Sequence, residues 1–293
     1  MVVGDNVEEQ LRPFHEFECT GVDDEYVQDI DVTEEILKYI EEAKAEGNPC
    51  DPQTVFEYHY GENSKYSYIE FNDSAVGFRA IRRTNPNAQW DWYQIGGRWS
   101  GFFRLKEDSK SCVMGKDSLV YPSEKGQGLR ADSALKGDID FDAMRKEAHE
   151  RATEEFDKFE SIAGPFSTEG PLFRTWKEIF CPNGVYRGDR PVAEAEYDNQ
   201  PIVKKVHESE HNHEYFFGID QFSVGRERYV AEAVKTAYRT YALLYEGNWY
   251  AKGEMGWWGM SADGDIDAYN QLFHDIVDNL SDDTRLTLVD CHI

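Results

Sequence analysis

The sequence predicts an α+β fold: a mixed sheet formed largely from the N- and C-terminal regions, with a helical middle region. Three observations lead there. Strand-like segments and turn signals cluster toward both ends of the 293-residue chain. Apolar residues from Phe141 to Phe159 recur at helical spacing. No repeat of about 20–50 residues is present. The length suits one large domain or two small ones. The divisions read from the sequence are an N-terminal α+β part over 1–105, a middle region over 106–225 that reads as an insertion, and a C-terminal α+β part over 226–293 that packs with the first.

In chain order, Met1–Val3 reads as a short strand closed by Gly4-Asp5-Asn6. A helix fits Thr33–Glu46: Thr33 is its cap, Ile36, Leu37, Ile40 and Ala43 share a face, and Gly47 with Pro49 ends it. Residues 54–82 alternate as strands do, above all Tyr66–Phe71 and Val76–Ile81, with Asn72-Asp73 at the turn. Residues 106–137 are rich in Ser, Gly and Lys and read as a long excursion or linker. Phe141, Met144, Ala148, Ala152, Phe156 and Phe159 then mark a long helix stopped by Gly164-Pro165. Leu172, Phe173, Trp176 and Ile179 mark a shorter one over Pro171–Phe180, and Pro201–Val206 and Tyr215–Ile219 look strand-like. Arg226–Lys235 reads as helix, Tyr238–Tyr245 fits helix and strand equally, and Glu246-Gly247-Asn248 is a turn returning into Trp249–Lys252. A helix over about Asp267–Leu280 and a strand at Arg285–Asp290 complete the chain.

Charge narrows the function classes. With 57 Asp and Glu against 31 Lys and Arg, the net charge is −26, and the pI is near 4.6. A grip on nucleic-acid backbone or anionic lipid needs the opposite sign. Residues 1–50 carry a net −12 and residues 261–293 a net −7, so the field is concentrated at the two ends. Either a solvated acidic face or a surface for a basic partner follows. The five cysteines are widely spaced with no CxxC, which suggests a reducing compartment and no zinc ribbon. No signal-peptide pattern or apolar run of about 20 residues occurs, so the expected location is the cytoplasm.

Asn85–Phe103 is the densest segment: Trp90, Trp92, Tyr93, Trp99, Phe102 and Phe103 surround Gly96-Gly97, with Arg98 and Arg104 nearby. On a strand Trp90 and Trp92 would share a face. Such rings either stack on a base, a sugar or a cation, or anchor the core with their indole N–H groups tied to carbonyls. Glu254–Met260, with Trp257 and Trp258, invites the same two readings. His207, His211 and His213 sit among Glu208, Glu210 and Glu214, a spacing open to a divalent metal, but the segment is not HExxH, no second ligand cluster stands elsewhere, and an exposed polar loop is the favoured reading. Cys19 with His15 is a nucleophile pair only on paper, since it has no evident orienting third group, and Asp290-Cys291-His292 is set aside because a strand at that place supplies structure. Phosphate-loop, nucleophile-elbow and dinucleotide motifs are absent from the sequence. No catalytic residue, cofactor or metal is assigned.

Four stretches, PFHEFECTGVDDEYVQDIDVTEE (13–35), NPNAQWDWYQIGGRWSGFF (85–103), EMGWWGM (254–260) and LSDDTRLTLVDCHI (280–293), together resemble a widespread group of bacteriophage-encoded proteins of about this length. They cover 63 residues and touch both ends, while 106–225 matches nothing in that group. Within phage proteins, the size, acidity and lack of enzymatic motifs are similar to the Gabija anti-defence family. Its members bind a host nuclease complex with a helicase-like partner and prevent it from engaging DNA. The resemblance implies a non-catalytic, homo-oligomeric immune-evasion protein in the host bacterial cytoplasm; it carries over no interface residue. Charge alone nominates Asp23, Asp24, Glu25, Asp29 and Asp31 as the partner-binding surface. The competing expectation is an enzyme acting on a nucleotide-like small molecule in a pocket of Trp90, Trp92 and Trp99, with a metal at His207, His211 and His213.

Overall fold

The computed structural model describes residues 1–16, 24–64, 67–109, 112–117, 129–164, 172–210, 218–255 and 261–292. The chain forms an α+β fold with a mixed sheet and a largely helical middle region. It divides into two compact units: Met1–Phe102 with Glu107–Asp138 and Thr240–Ile293, and Phe103–Lys106 with Ile139–Arg239.

In the first unit, Val2–Val3 is the centre of a six-stranded sheet. It runs parallel to Ala242–Tyr245 on one side and antiparallel to Arg285–Thr287 on the other. Asn248–Ala251 closes one edge through a turn at Glu246 and Gly247, both at positive φ, which matches the twist of a hairpin. At the other edge, Ser133–Leu135 pairs with Arg285–Thr287 and Cys112–Val113 pairs with Ser133–Leu135. The polar stretch expected to be an excursion thus supplies two strands of this sheet, because Ala131 and Ala134 are buried and need neighbours.

A second, three-stranded sheet places Phe78–Thr84 between Gln28–Asp31 and Ser67–Phe71. Two helices cover it, Thr33–Glu46 and Pro52–Tyr60, with Ile36 and Phe56 fully buried against Ile69, Phe78 and Ala80. Each of those two side chains contributes about 1.5–3 kcal/mol. Thr33 does not cap its helix. Its Oγ1 accepts the Ala80 N–H, and Asp31 accepts the Thr33 N–H, because residues 32 and 33 still pair with the sheet. The C-terminus ends as expected: Gly47 takes φ +75°, and the N–H groups of Gly47 and Asn48 close on Lys44 and Ala43. The strand pattern read over residues 54–82 fails at its start, where Pro52–Tyr60 is a helix. Asp51 caps it as a helix by accepting the Thr54 N–H, and Pro52 occupies the first turn.

The second unit is built on the Phe141–Ala163 helix. Its buried Phe156, Phe159 and Ala163 meet Phe173, Val203, Val206, Ile219 and Phe222, and the Phe159 and Phe222 rings stack at 4.4 Å. The segment after 171 is helical only over Trp176–Phe180, where Thr175 and Glu178 form a capping box; Phe173 packs from the chain leading into it. Pro201–His207 is a helix rather than the expected strand: Val203 and Val206, three apart, both point into this core. Arg226–Lys235 is helical, as is Arg190–Asp198. Most of the expected Tyr215–Ile219 strand lies outside the described residues.

Candidate functional surface

Residues Arg285–Asp290 were expected to form one strand. Instead the chain changes sheets at Leu288, whose N–H donates to the Asp132 carbonyl and whose carbonyl accepts the Gly96 N–H. Val289–His292 then pairs antiparallel with Trp92–Gly97, putting Asp290 opposite Gln94, Cys291 opposite Tyr93 and His292 opposite Trp92. Lys116–Asp117 runs parallel on the other edge. Alternation sorts the side chains. Tyr93 and Cys291 pack against the cluster of Val2, Leu11, Phe14, Trp90 and Leu244, while Trp92, Asp290 and His292 belong to the opposite face.

Two buried carboxylates hold the turn that follows. Asp290 accepts the Arg98 backbone N–H at 2.8 Å and grips its guanidinium through Nε at 3.0 Å and Nη2 at 2.6 Å. Asp132 accepts the N–H groups of Gly101 at 2.6 Å, Phe102 at 3.3 Å and Gly115 at 2.8 Å, and the Ser100 hydroxyl at 3.1 Å. Buried carboxylates require this degree of satisfaction. Gly96 and Gly97 have φ of +81° and +59°. A Cβ on them would stand 2.6 Å from Asp132 and 2.3 Å from Asp290, so close approach to the carboxylates demands glycine at both.

What the turn presents outward is Arg98 and Trp99. The guanidinium lies 4.5 Å from the centre of the indole ring, and Trp99 remains 50 % exposed. Trp92 is 56 % exposed, whereas Trp90 is 9 % exposed. The Trp90 indole N–H donates to the Leu11 carbonyl at 3.0 Å, and its ring meets His15 and Tyr93. Trp90 and Trp92 therefore do not share a face, because the backbone bends at Asp91 between them. The three indoles do not line one pocket. Beside Trp92, His292 Nδ1 lies 3.0 Å from the Asp91 carboxylate, and His15 Nε2 lies 2.9 Å from the Asp91 carbonyl.

The titratable groups of this sheet are held by burial and by the turn. Burial pushes the Cys291 thiol up to about 11, and the nearby Asp290 carboxylate pushes the same way, so the group is a poor nucleophile. Asp290 and Asp132 are engaged with the turn rather than with an open cleft. Among the described residues no group of three His, Cys, Asp or Glu is placed to hold a metal. His207 ends its helix 3.5 Å from Asp198, while His211 and His213 lie outside the described residues, as do Cys19 and residues 256–260. No described helix is long and apolar enough to cross a membrane.

The charge-nominated residues fare unevenly. Asp23 lies outside the described residues, and only the backbone of Asp24 is described, in the Asp24–Tyr26 turn, where Glu25 is exposed. Asp29 and Asp31 are exposed on their strand but face cross-strand arginines: Asp29 lies 3.6 Å from Arg83 and Asp31 3.2 Å from Arg79. Hydrogen bonds from the Thr33 side chain and amide, with Arg79 beside them, hold the Asp31 carboxyl below its ordinary 3.8. Their local field is thus partly cancelled. Asp132 went unnoticed in the sequence because its partners lie up to 32 positions away, and the Arg98–Asp290 pair spans 192. The one available signal was Asp290 at an inward position of a terminal strand, where a charge needs a partner. Comparison with protein-family models, with curated proteins and with solved structures finds no match to this chain.

Proposed function

We propose that this chain is a non-catalytic phage protein that binds and blocks a bacterial anti-phage defence complex, with the Gabija nuclease complex as the first candidate. Its contact surface includes Trp92, Arg98 and Trp99. The observation that carries the reading is the Arg98–Trp99 pair, half exposed yet held from beneath by Asp290 and Asp132. Trp and Arg dominate the energetics of protein interfaces. A turn fixed before the encounter loses little conformational freedom on binding. The four sequence blocks supply the phage connection, and two of them, 85–103 and 280–293, meet in this sheet. Oligomerisation of the chain is part of the same proposal.

The test is affinity capture from bacteria expressing a panel of defence systems, Gabija included, with native mass measurement. The expected result is stoichiometric capture of one complex with loss of its DNA binding, and at least tenfold weaker capture by Trp92→Ala/Trp99→Ala. A folded chain that captures no defence complex would overturn the proposal. Undiminished capture by the double variant would remove this face from it.

A further inference from the structure

We infer that the Trp92–Trp99 face receives basic side chains of a protein partner, seating guanidinium or ammonium groups on its two indoles. The biological partner rests on the binding reading above, but the recognition chemistry can be tested without it.

Three observations point to a cation. First, Trp99 already holds one: the Arg98 guanidinium sits 4.5 Å from its ring centre, so the ring is placed for cation–π contact, and half of the residue is still exposed. Second, the cation nearest the Trp99 ring is already matched by a carboxylate. The Arg98 charge is met by Asp290 at 2.6 Å, and the exposed Asp91 carboxylate precedes Trp92 and lies 3.0 Å from His292. An indole beside a carboxylate attracts cations and disfavours anionic stacking ligands such as nucleotides. Third, the surrounding field has the same sign. The chain carries −26, and residues 1–50 alone carry −12. Of that segment Glu16 meets this sheet directly, where its N–H donates to the Trp90 carbonyl.

Both indoles are tied to the Val289–His292 strand. Asp290 and His292 are two residues apart on one strand, about 7 Å. His292 stands opposite Trp92, and Asp290 carries the guanidinium on which Trp99 stacks. A basic segment of a partner running along this strand would meet both indoles.

The experiment uses the full chain and a fluorescent hexa-arginine peptide, with binding followed by anisotropy at about 0.15 M and 0.5 M salt. General attraction between opposite charges is screened at the higher salt, whereas contact on the indoles persists. Trp92→Leu/Trp99→Leu is expected to weaken binding about five- to thirtyfold at either salt. Trp92→Phe/Trp99→Phe should recover part of the loss, because a ring face is restored. Equal binding by wild type and the Leu variant would overturn the inference and leave only net charge. So would equal competition by an uncharged Leu-rich peptide of the same length, since the face would then be simply apolar. Unchanged urea midpoints of both variants establish that the fold is intact. Indole-dependent peptide binding by a chain that captures no defence complex would uphold the recognition chemistry and overturn only the proposed partner.

Discussion

Replacing Asp132 by Asn changes almost no volume but reverses the hydrogen-bonding character of one side-chain atom, so it isolates what the buried carboxylate does. Oδ1 accepts from Gly101 and Phe102, and Oδ2 accepts from Ser100 and Gly115. An amide keeps one oxygen and presents an NH2 where the other stood. If the oxygen stays toward Gly101, the Ser100 hydroxyl can rotate to accept, but the Gly115 N–H loses its acceptor. An orphaned buried donor costs about 1–3 kcal/mol, and weakening two charge-assisted bonds to neutral ones adds about 1 kcal/mol. The expected loss is about 2–4 kcal/mol. Four of the five described tryptophans belong to the unit that contains Asp132, so tryptophan fluorescence in urea reports chiefly on that unit. With a slope of about 2 kcal/mol/M, the midpoint should fall by about 1–2 M. A shift below about 0.3 M would refute the claim that this carboxylate organises the turn. The variant should also lose hexa-arginine binding under conditions where it is folded, because Trp99 is no longer held in place.

Three further outcomes are expected. Thiol alkylation of the native protein at pH 8, mapped by mass spectrometry, should modify exposed Cys112 and spare Cys291, whose raised value of about 11 keeps it protonated; equal labelling would contradict that burial. NMR titration should place the Asp31 and Asp51 carboxyls below 3.8, because both accept N–H groups at helix starts. Their stabilisation is then complete above that value and disappears as pH falls through the lower folded-state values, and ordinary titration would show these bonds to be absent in solution. Charge reversal at Asp23, Asp24 and Glu25 should slow capture of the proposed partner at low salt more than reversal at Asp29 and Asp31, whose charges already face Arg83 and Arg79; the opposite order would restore the strand pair as the steering surface.

Both units show why an acidic composition is a poor guide to acid–base chemistry. Asp51 and Asp140 cap helices, Asp220 ties the Tyr197 hydroxyl to the Trp176 N–H, and Asp132 and Asp290 hold a turn. Each carboxylate satisfies a backbone or hydroxyl donor that would otherwise be left without an acceptor. Counting acids therefore measures the solvated surface and the internal frame together. Only position separates them.

Local rules were enough for the elements whose signals are local. The Thr33–Glu46 and Phe141–Ala163 helices follow from apolar spacing and a terminating glycine, and the Glu246-Gly247 hairpin from its turn residues. The same reasoning failed over Pro52–Tyr60 and Pro201–His207. There the proline at a helix start carried the information, and short apolar runs fit either period. The sequence by itself determined the α+β class, the acidic field and the crowding of aromatic residues around Gly96-Gly97. It did not determine which indoles face water. That depended on the bend at Asp91, the change of sheet at Leu288 and two carboxylates reaching across up to 192 positions. Pairing at such separations leaves no periodic trace in the chain, because it is selected by what satisfies a buried charge once the strands have met.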